Sequence, residues 1–195
     1  EDCLIKKDGT FFPVEMVGNP VVDHNGVSGA VLSFRDISDK IEADKQINLL
    51  KNFDKLTSLP NRKLLNEQIE EKLEEIKTQG QSAALISFDI DRFANINETI
   101  GHNSGNVLLV SLSERVKEII RDDDLFGRLD GDEFVLLIDG LTSSKVLEWV
   151  ERLFDVISQP FEFFDFEYRI SVSAGVCMLP NDADNAGEAI QNSHI

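Results

Sequence analysis

Cysteine and histidine are scarce in this chain, two of one and three of the other among 195 residues. Cys3 and Cys177 lie at opposite ends, and His24, His102 and His194 are as widely scattered. Neither a disulfide framework nor a zinc-ligand spacing is present, so the thiols read as reduced and the protein as cytoplasmic. Basic residues are also short, 19 against 36 acidic, for a net charge of −17. That balance argues against a nucleic-acid polymer as partner. It leaves room for a small phosphorylated ligand bound through Mg²⁺ and a few placed Lys or Arg side chains. No apolar run approaches the roughly 20 residues of a membrane-spanning helix. The chain opens on Glu1 rather than Met, and so reads as a piece of a longer protein that could be membrane-anchored upstream. What is present, 42% apolar and 28% charged residues, describes a globular chain long enough for one full domain and an appendage.

Residues 1–36 read as strands, with Thr10-Phe-Phe-Pro-Val-Glu-Met16 and Gly29-Ala-Val-Leu-Ser-Phe34 as β-rich runs and Asp8-Gly9 and Asn25-Gly26 as hairpin turns. So short a meander cannot bury a core alone. Residues 37–53 turn helical, with Ala43, Ile47 and Leu50 on one narrow stripe. That stripe suits either an ordinary linker helix or a short parallel coiled coil. From residue 54 the order is helix, strand, helix, hairpin, helix, two strands and a final helix. Leu65, Ile69, Leu73 and Ile76 mark a buried face between Asn61 and Gly80. A second helix spans about 103–121, a third about 143–158, strands cover 161–164 and 166–178, and a last helix begins near Asn185. This order predicts an α/β (α+β) domain, one antiparallel-rich sheet of about five strands flanked by helices. Phe161, Phe163, Phe164, Phe166 and Trp149 read as core.

Two acidic tips carry the chemistry. The apolar run Ala83-Ala-Leu-Ile-Ser-Phe88 ends in Asp89-Ile-Asp91, and Asp132-Glu133 precede Phe134-Val-Leu-Leu-Ile138. Acids at strand ends are common turn formers, which is the bland account of each tip. Taken together, two carboxylates and a backbone carbonyl make an incomplete cage for a divalent cation, with positions left for phosphate oxygens.

Five segments, in order, resemble the GGDEF domain of diguanylate cyclases. They are Asp54-Lys-Leu-Thr-Ser-Leu-Pro-Asn-Arg62, Phe88-Asp-Ile-Asp-Arg-Phe-Ala-Asn-Ile-Asn97, Gly101-His-Asn-Ser-Gly-Asn106, Arg128-Leu-Asp-Gly-Asp-Glu-Phe134 and Ser171-Val-Ser-Ala-Gly175. Residues 1–36, ending in Phe34-Arg-Asp-Ile-Ser38, resemble the last strands of a PAS sensor domain. The resemblance implies a nucleotide-cyclase or palm-like fold over 54–195 and the condensation of two GTP to cyclic di-GMP across a homodimer. It implies Mg²⁺ (or Mn²⁺) on Asp89, the Ile90 carbonyl, Asp132 and Glu133, with Asp132 and Glu133 as the catalytic pair. Glu133 would assist the metal or take the 3′-hydroxyl proton. It assigns nucleotide contacts to the Arg92 and Phe93 amides, to Asn97 and Asn106 for guanine, and to Asp130 and Gly131 in the turn. Arg121 and Asp124, an Arg-x-x-Asp five residues before that turn, would form a product-inhibition site for cyclic di-GMP. Their bland account is a helix end followed by turn residues.

The chain departs from the family at Asp130, where a glycine is usual, at Asn106, where an aspartate is usual, and at Ala94, where a lysine is frequent. The Lys and Arg that grip the β- and γ-phosphates in the family's last helix do not occur before Ile195, so this stretch alone should turn over poorly. The alternative that these departures imply is a degenerate module that binds GTP or cyclic di-GMP and regulates an attached EAL phosphodiesterase domain.

Overall fold

A computed structural model describes residues 2–24, 26–163 and 166–194. The chain divides into two compact units, Glu1–Lys51 and Asn52–Ile195. In the first, β1 (Asp2–Ile5), β2 (Phe11–Asp23) and β3 (Gly26–Asp36) form an antiparallel meander in the order β1-β2-β3. The Asp8-Gly9 turn is as expected, with Gly9 at φ 86°, where a side chain would be strained. Of the other expected turn, Asn25 lies outside the described residues and Gly26 sits at φ 115°. Val14 is buried, while Met16, Val31, Leu32 and Phe34 stay exposed. The helix α1 (Ser38–Asn52) follows and buries none of its residues; Ile47 and Leu50 of the expected stripe are exposed.

The second unit begins with α2 (Arg62–Gln79), and its ends are set by chemistry legible in the chain. Asn61 Oδ1 accepts the amides of Lys63 and Leu64, and Gly80 closes the helix in the left-handed conformation at φ 66°. Next come β4 (Ala83–Ile90), α3 (Phe93–Ile100), α4 (His102–Lys117), β5 (Leu125–Asp130), β6 (Glu133–Asp139) and α5 (Val146–Ile157). The chain ends with β7 (Phe161–Phe163), β8 (Phe166–Tyr168), β9 (Val172–Leu179) and α6 (Ala186–Ser193), the last capped by Asn185 Oδ1 on the Glu188 amide.

The central sheet runs β5-β6-β4-β9 and is antiparallel throughout. Among the described residues it holds four strands rather than about five, because β7 and β8 there pair only with each other. The segment expected as one strand over 166–178 breaks at 169–171, and the single helix expected over 103–121 is preceded by the separate α3 and ends earlier, at Lys117.

β4 sits inside the sheet and is covered on both faces, which explains its unbroken apolar run. Ala84, Ile86 and Phe88 meet Phe134 and Leu136 of β6, Leu108, Leu112 and Val116 of α4, and Leu153 and Ile157 of α5. On the opposite face Leu85, Val135 and Leu137 pack with Leu65, Ile69, Leu73 and Ile76 of α2 and Ile190 of α6. The rings of Phe88, Phe126 and Phe134 stack with centroids 5.4–6.5 Å apart, a rigid apolar floor directly behind both acidic tips.

Arg115 of α4 lies 3.6 Å from the Phe161 ring centroid and donates to the carbonyls of Gln159 (2.6 Å) and Pro160 (2.9 Å), closing the C-terminal end of α5. Phe161 is buried as expected and Trp149 packs against the same core. Phe164 lies outside the described residues. Cys177 is buried, and burial with Asp182 and Glu188 nearby pushes its thiol up to about 11, whereas Cys3 is exposed. A thiol reagent near neutral pH should therefore label Cys3 at once and Cys177 only as the domain unfolds. Rapid titration of both in the native protein would contradict this packing.

Candidate active site

The site begins with register. β4 and β6 pair as far as Phe88↔Phe134, which leaves Asp89 just past the last pair on β4 and Glu133 just before it on β6. Asp89 and Glu133 line one small hollow with Ser87 and His194. Asp132 belongs to a two-residue hairpin loop, Gly131-Asp132, closed by Asp130↔Glu133, with Gly131 at φ 51° as such a turn requires.

Asp132 titrates above the usual carboxylate range. Burial is the main cause, and the charge of Asp89 adds to it. Hydrogen bonds from its own amide and that of Ile90 pull the other way, and Arg128 adds a smaller pull. The Ile90 amide thus faces Asp132. In an extended strand the carbonyl of a residue projects to the same side as its amide, so the Ile90 carbonyl points toward the same edge.

Asp91, two residues on from Asp89, belongs elsewhere. Its carboxylate accepts the hydroxyls of Ser171 (2.5 Å) and Ser173 (2.6 Å), and its amide donates to the Ser171 carbonyl (3.0 Å). The Ser171 and Ser173 hydrogen bonds hold its pKa below the usual carboxylate value. Asp91 locks β4 to β9, which gives the Ser171-Val-Ser173 segment a structural task.

A second clamp fixes the turn itself. Arg128 donates through Nε (3.0 Å) and Nη2 (2.6 Å) to the Gly131 carbonyl and through Nη1 (2.8 Å) to Asp54 Oδ1. The same Asp54 oxygen accepts the Thr57 amide and hydroxyl, and the Arg128 amide donates to the Pro60 carbonyl. A Cβ on Gly127 would come within 2.8 Å of that Pro60 oxygen, so β5 needs glycine there. The Asp54–Arg62 and Arg128–Phe134 segments, 74 residues apart at their ion pair, are one structural unit. No short-range pattern signals that contact.

The remaining candidates are placed as follows. Arg92 holds a left-handed backbone (φ 56°), unusual for a non-glycine residue, immediately before α3, and Phe93 packs against the core. The Asn97 amide oxygen is buried without a hydrogen-bond partner and lies where a Cβ on Gly105 would fall, so Asn97 adjoins the turn of α4 that carries the exposed Asn106. Asp130 folds back, its Oδ1 accepting the Gly131 amide at 2.9 Å. Arg121 and Asp124 border a cavity of about 320 Å³ at the far end of β5 and β6. Both Asp124 oxygens are engaged there, one by the Arg121 amide (2.8 Å) and one by the Asp139 amide (3.1 Å). Arg62 Nη2 reaches Glu133 Oε2 at 3.4 Å, and His194 Nε2 approaches Oε1 at 3.7 Å; the sequence offered no signal for either contact.

Among the described residues no group of three or more His, Cys, Asp or Glu side chains is arranged to hold a metal. Asp132 feels the charge of Asp89 across the hairpin, two carboxylates rather than a cage. Their chemistry is of the kind a hard divalent cation takes: carboxylate oxygens near a carbonyl edge, with repulsion that a cation would relieve. No helix among the described residues is long and apolar enough to cross a membrane.

Residues 51–195 match the family model described as "Diguanylate cyclase, GGDEF domain". The chain therefore belongs to the GGDEF family, and the mixed sheet-and-helix fold is that of its solved members. It is 34% identical over 151 residues to the bifunctional diguanylate cyclase/cyclic di-GMP phosphodiesterase MucR of Pseudomonas aeruginosa, covering 77% of this chain and 22% of that protein. It is 32% identical over 153 residues to the cyclic di-GMP phosphodiesterase NbdA of the same organism, covering 78% and 20%. The structure of a sensory box/GGDEF family protein from Caulobacter crescentus superposes with a TM-score of 0.69 at 30% identity, covering 73% of this chain and 92% of that one. The chain thus spans about a fifth of the length of these curated relatives.

Proposed function

We propose that the Asn52–Ile195 unit carries diguanylate cyclase chemistry, two GTP condensing to cyclic di-GMP with release of two pyrophosphates. The observation that carries the reading is Asp132, a half-buried carboxylate whose pKa is raised by desolvation and in part by the charge of Asp89 at the tip of the neighbouring strand. Asp89, Asp132 and the Ile90 carbonyl would hold Mg²⁺ or Mn²⁺. A bound divalent cation supplies positive charge against phosphate oxygens.

The protein's own groups do the rest. Asn97 and Asn106 would orient guanine at the α3–α4 junction. The Phe93 amide would donate to a phosphate at the start of α3. Glu133, on the same edge, would take the 3′-hydroxyl proton as that oxygen attacks the α-phosphorus of the nucleotide held by a second copy. Arg121 and Asp124 would bind cyclic di-GMP as inhibitor, with Asp124 keeping its turn closed. We further read the meander of residues 1–36 as the end of a PAS sensor domain, with 37–53 as the connecting helix. The names of MucR and NbdA support pairing with a phosphodiesterase module in the full-length protein.

The test is full-length protein incubated with GTP and Mg²⁺ or Mn²⁺, with nucleotides separated by chromatography. Cyclic di-GMP is expected. Nucleotide binding without product would assign the site to sensing, and absence of both would remove nucleotide chemistry from the domain.

A further inference from the structure

The candidate site is crowded with acids, and among the described residues Arg62 and His194 are the basic side chains in contact with Glu133. Asp89, Asp130, Asp132 and Glu133 all lie on the tips of β4, β5 and β6 or in the turn between them. Arg128 is near, but its Nε, Nη1 and Nη2 are all engaged by the Gly131 carbonyl and Asp54, and its side chain is only 10% exposed. It can turn to a ligand only by dismantling the hairpin. Lys63 is tied to Asn52 and Glu67.

Arg62 differs. Its backbone is fixed, since it follows the Asn61 cap as the first residue of α2 and the Pro60 carbonyl is held by the Arg128 amide. Its side chain is 53% exposed and makes one long, single-point contact, 3.4 Å from Nη2 to Glu133 Oε2. A guanidinium paired at full strength engages a carboxylate through two short parallel hydrogen bonds. This one leaves most of its donors toward solvent beside the acidic tips.

We propose that Arg62 is a transferable counter-ion, partnering Glu133 when the site is empty and passing to the phosphates of a metal-bound nucleoside triphosphate. The proposal rests on the nucleotide reading above and adds a specificity-determining residue to it. The physical argument is charge balance. With Arg62 on Glu133, one of the four acids is neutralised and metal alone is held back. When a divalent cation and a polyphosphate arrive together, the cation held by Asp89 and Asp132 offsets the charge of the neighbouring Glu133, and Arg62 gains a dianionic group that binds a guanidinium better than one long carboxylate contact does. The chain has Ala94 rather than a cation on the first turn of α3, which increases the share of phosphate charge that Arg62 must meet.

The experiment compares wild type, Arg62→Gln, Arg62→Lys and the neighbouring control Lys63→Gln. Affinity is measured by calorimetry for Mn²⁺ alone and for a non-hydrolysable GTP analogue in saturating Mn²⁺, with thermal unfolding as a check on folding. Arg62→Gln should tighten Mn²⁺ binding a few-fold and weaken the nucleotide by about tenfold, the size of one charge-assisted hydrogen bond. Arg62→Lys should recover part of the nucleotide affinity, and Lys63→Gln, with the same loss of charge one residue away, should change neither by more than about twofold. Equal weakening by Arg62→Gln and Lys63→Gln means diffuse electrostatics and overturns the proposal, as does unchanged nucleotide affinity in Arg62→Gln. If wild type itself fails to bind the analogue, the nucleotide reading falls and the proposal with it; the Mn²⁺ measurement separates that case, because it reports the Arg62–Glu133 competition without nucleotide.

Discussion

Arg128→Ala should lower the unfolding free energy of the second unit by about 3 kcal/mol and its Tm by about 10 °C. The magnitude follows from what the guanidinium does. It donates twice to the Gly131 carbonyl, in the turn that presents Asp132, and once to Asp54, and it is almost wholly withdrawn from solvent. Truncation leaves Asp54 without its cation and the turn without its clasp. The Coulombic part is discounted because a quarter of the Asp54 side chain is exposed. Arg128→Lys should recover less than half, since one ammonium cannot reproduce a forked contact with two partners. The effect should depend on pH. Burial would raise the Asp54 pKa, but Thr57 and then Arg128 outweigh it and hold it below the usual 3.8. A depressed folded-state value gives stability that is complete above the unfolded value and fades as pH falls through the folded one. The difference in Tm between wild type and Arg128→Ala should therefore narrow as the pH drops below that value. A difference that is constant into acid would remove the Asp54 pair from the account.

Much of this architecture can be read before any coordinates. α2 is legible because Asn61, the Leu65–Ile76 stripe and Gly80 agree with one another. β4 is legible because a strand covered on both faces must be apolar throughout. The acidic tips are legible as strand ends. What escapes is where tertiary contacts override local pattern. α3, with Asn95, Asn97 and Thr99, is a poor helix former on propensity, and it forms between the left-handed Arg92 and Gly101 by packing Phe93 and Ile96 on the core. The break before β9 is hidden by an uninterrupted β-favouring composition; Asp91 makes it, by gripping Ser171 and Ser173. Asp89 and Asp91 look equivalent as sequence, yet one faces Glu133 and the other is consumed by β9. In the same way Arg62 and Arg128 are visible only as members of two motifs, and their contacts appear only when the hairpin is folded against the turn before α2.

Asp132→Asn separates the cost of the site from its use. Folding places the Asp132 carboxylate in a desolvated position near the charge of Asp89, so its pKa rises. A folded-state value above the unfolded one means the group's contribution is most favourable below the unfolded value and is lost as pH rises through the folded value. At neutral pH in chelator the ionised side chain is thus a liability. Asn keeps the shape without the charge, and should raise Tm by about 2–4 °C, or about 1 kcal/mol. Adding Mn²⁺ should reverse the order. Wild type gains stability with metal, about 2.7 kcal/mol at a hundred times the dissociation constant, while Asp132→Asn gains little because one of two anionic donors is gone. Cyclic di-GMP formation in the full-length protein should fall by about a hundredfold or more. The informative outcome is the crossing of the two proteins in metal-free and metal-loaded melts. If Asp132→Asn is less stable than wild type in chelator, the carboxylate is a structural acceptor in the turn, and a cation is not what its raised pKa reports. If instead the order crosses and turnover survives, the metal belongs to the fold and the chemistry must be sought elsewhere on the β4–β6 edge.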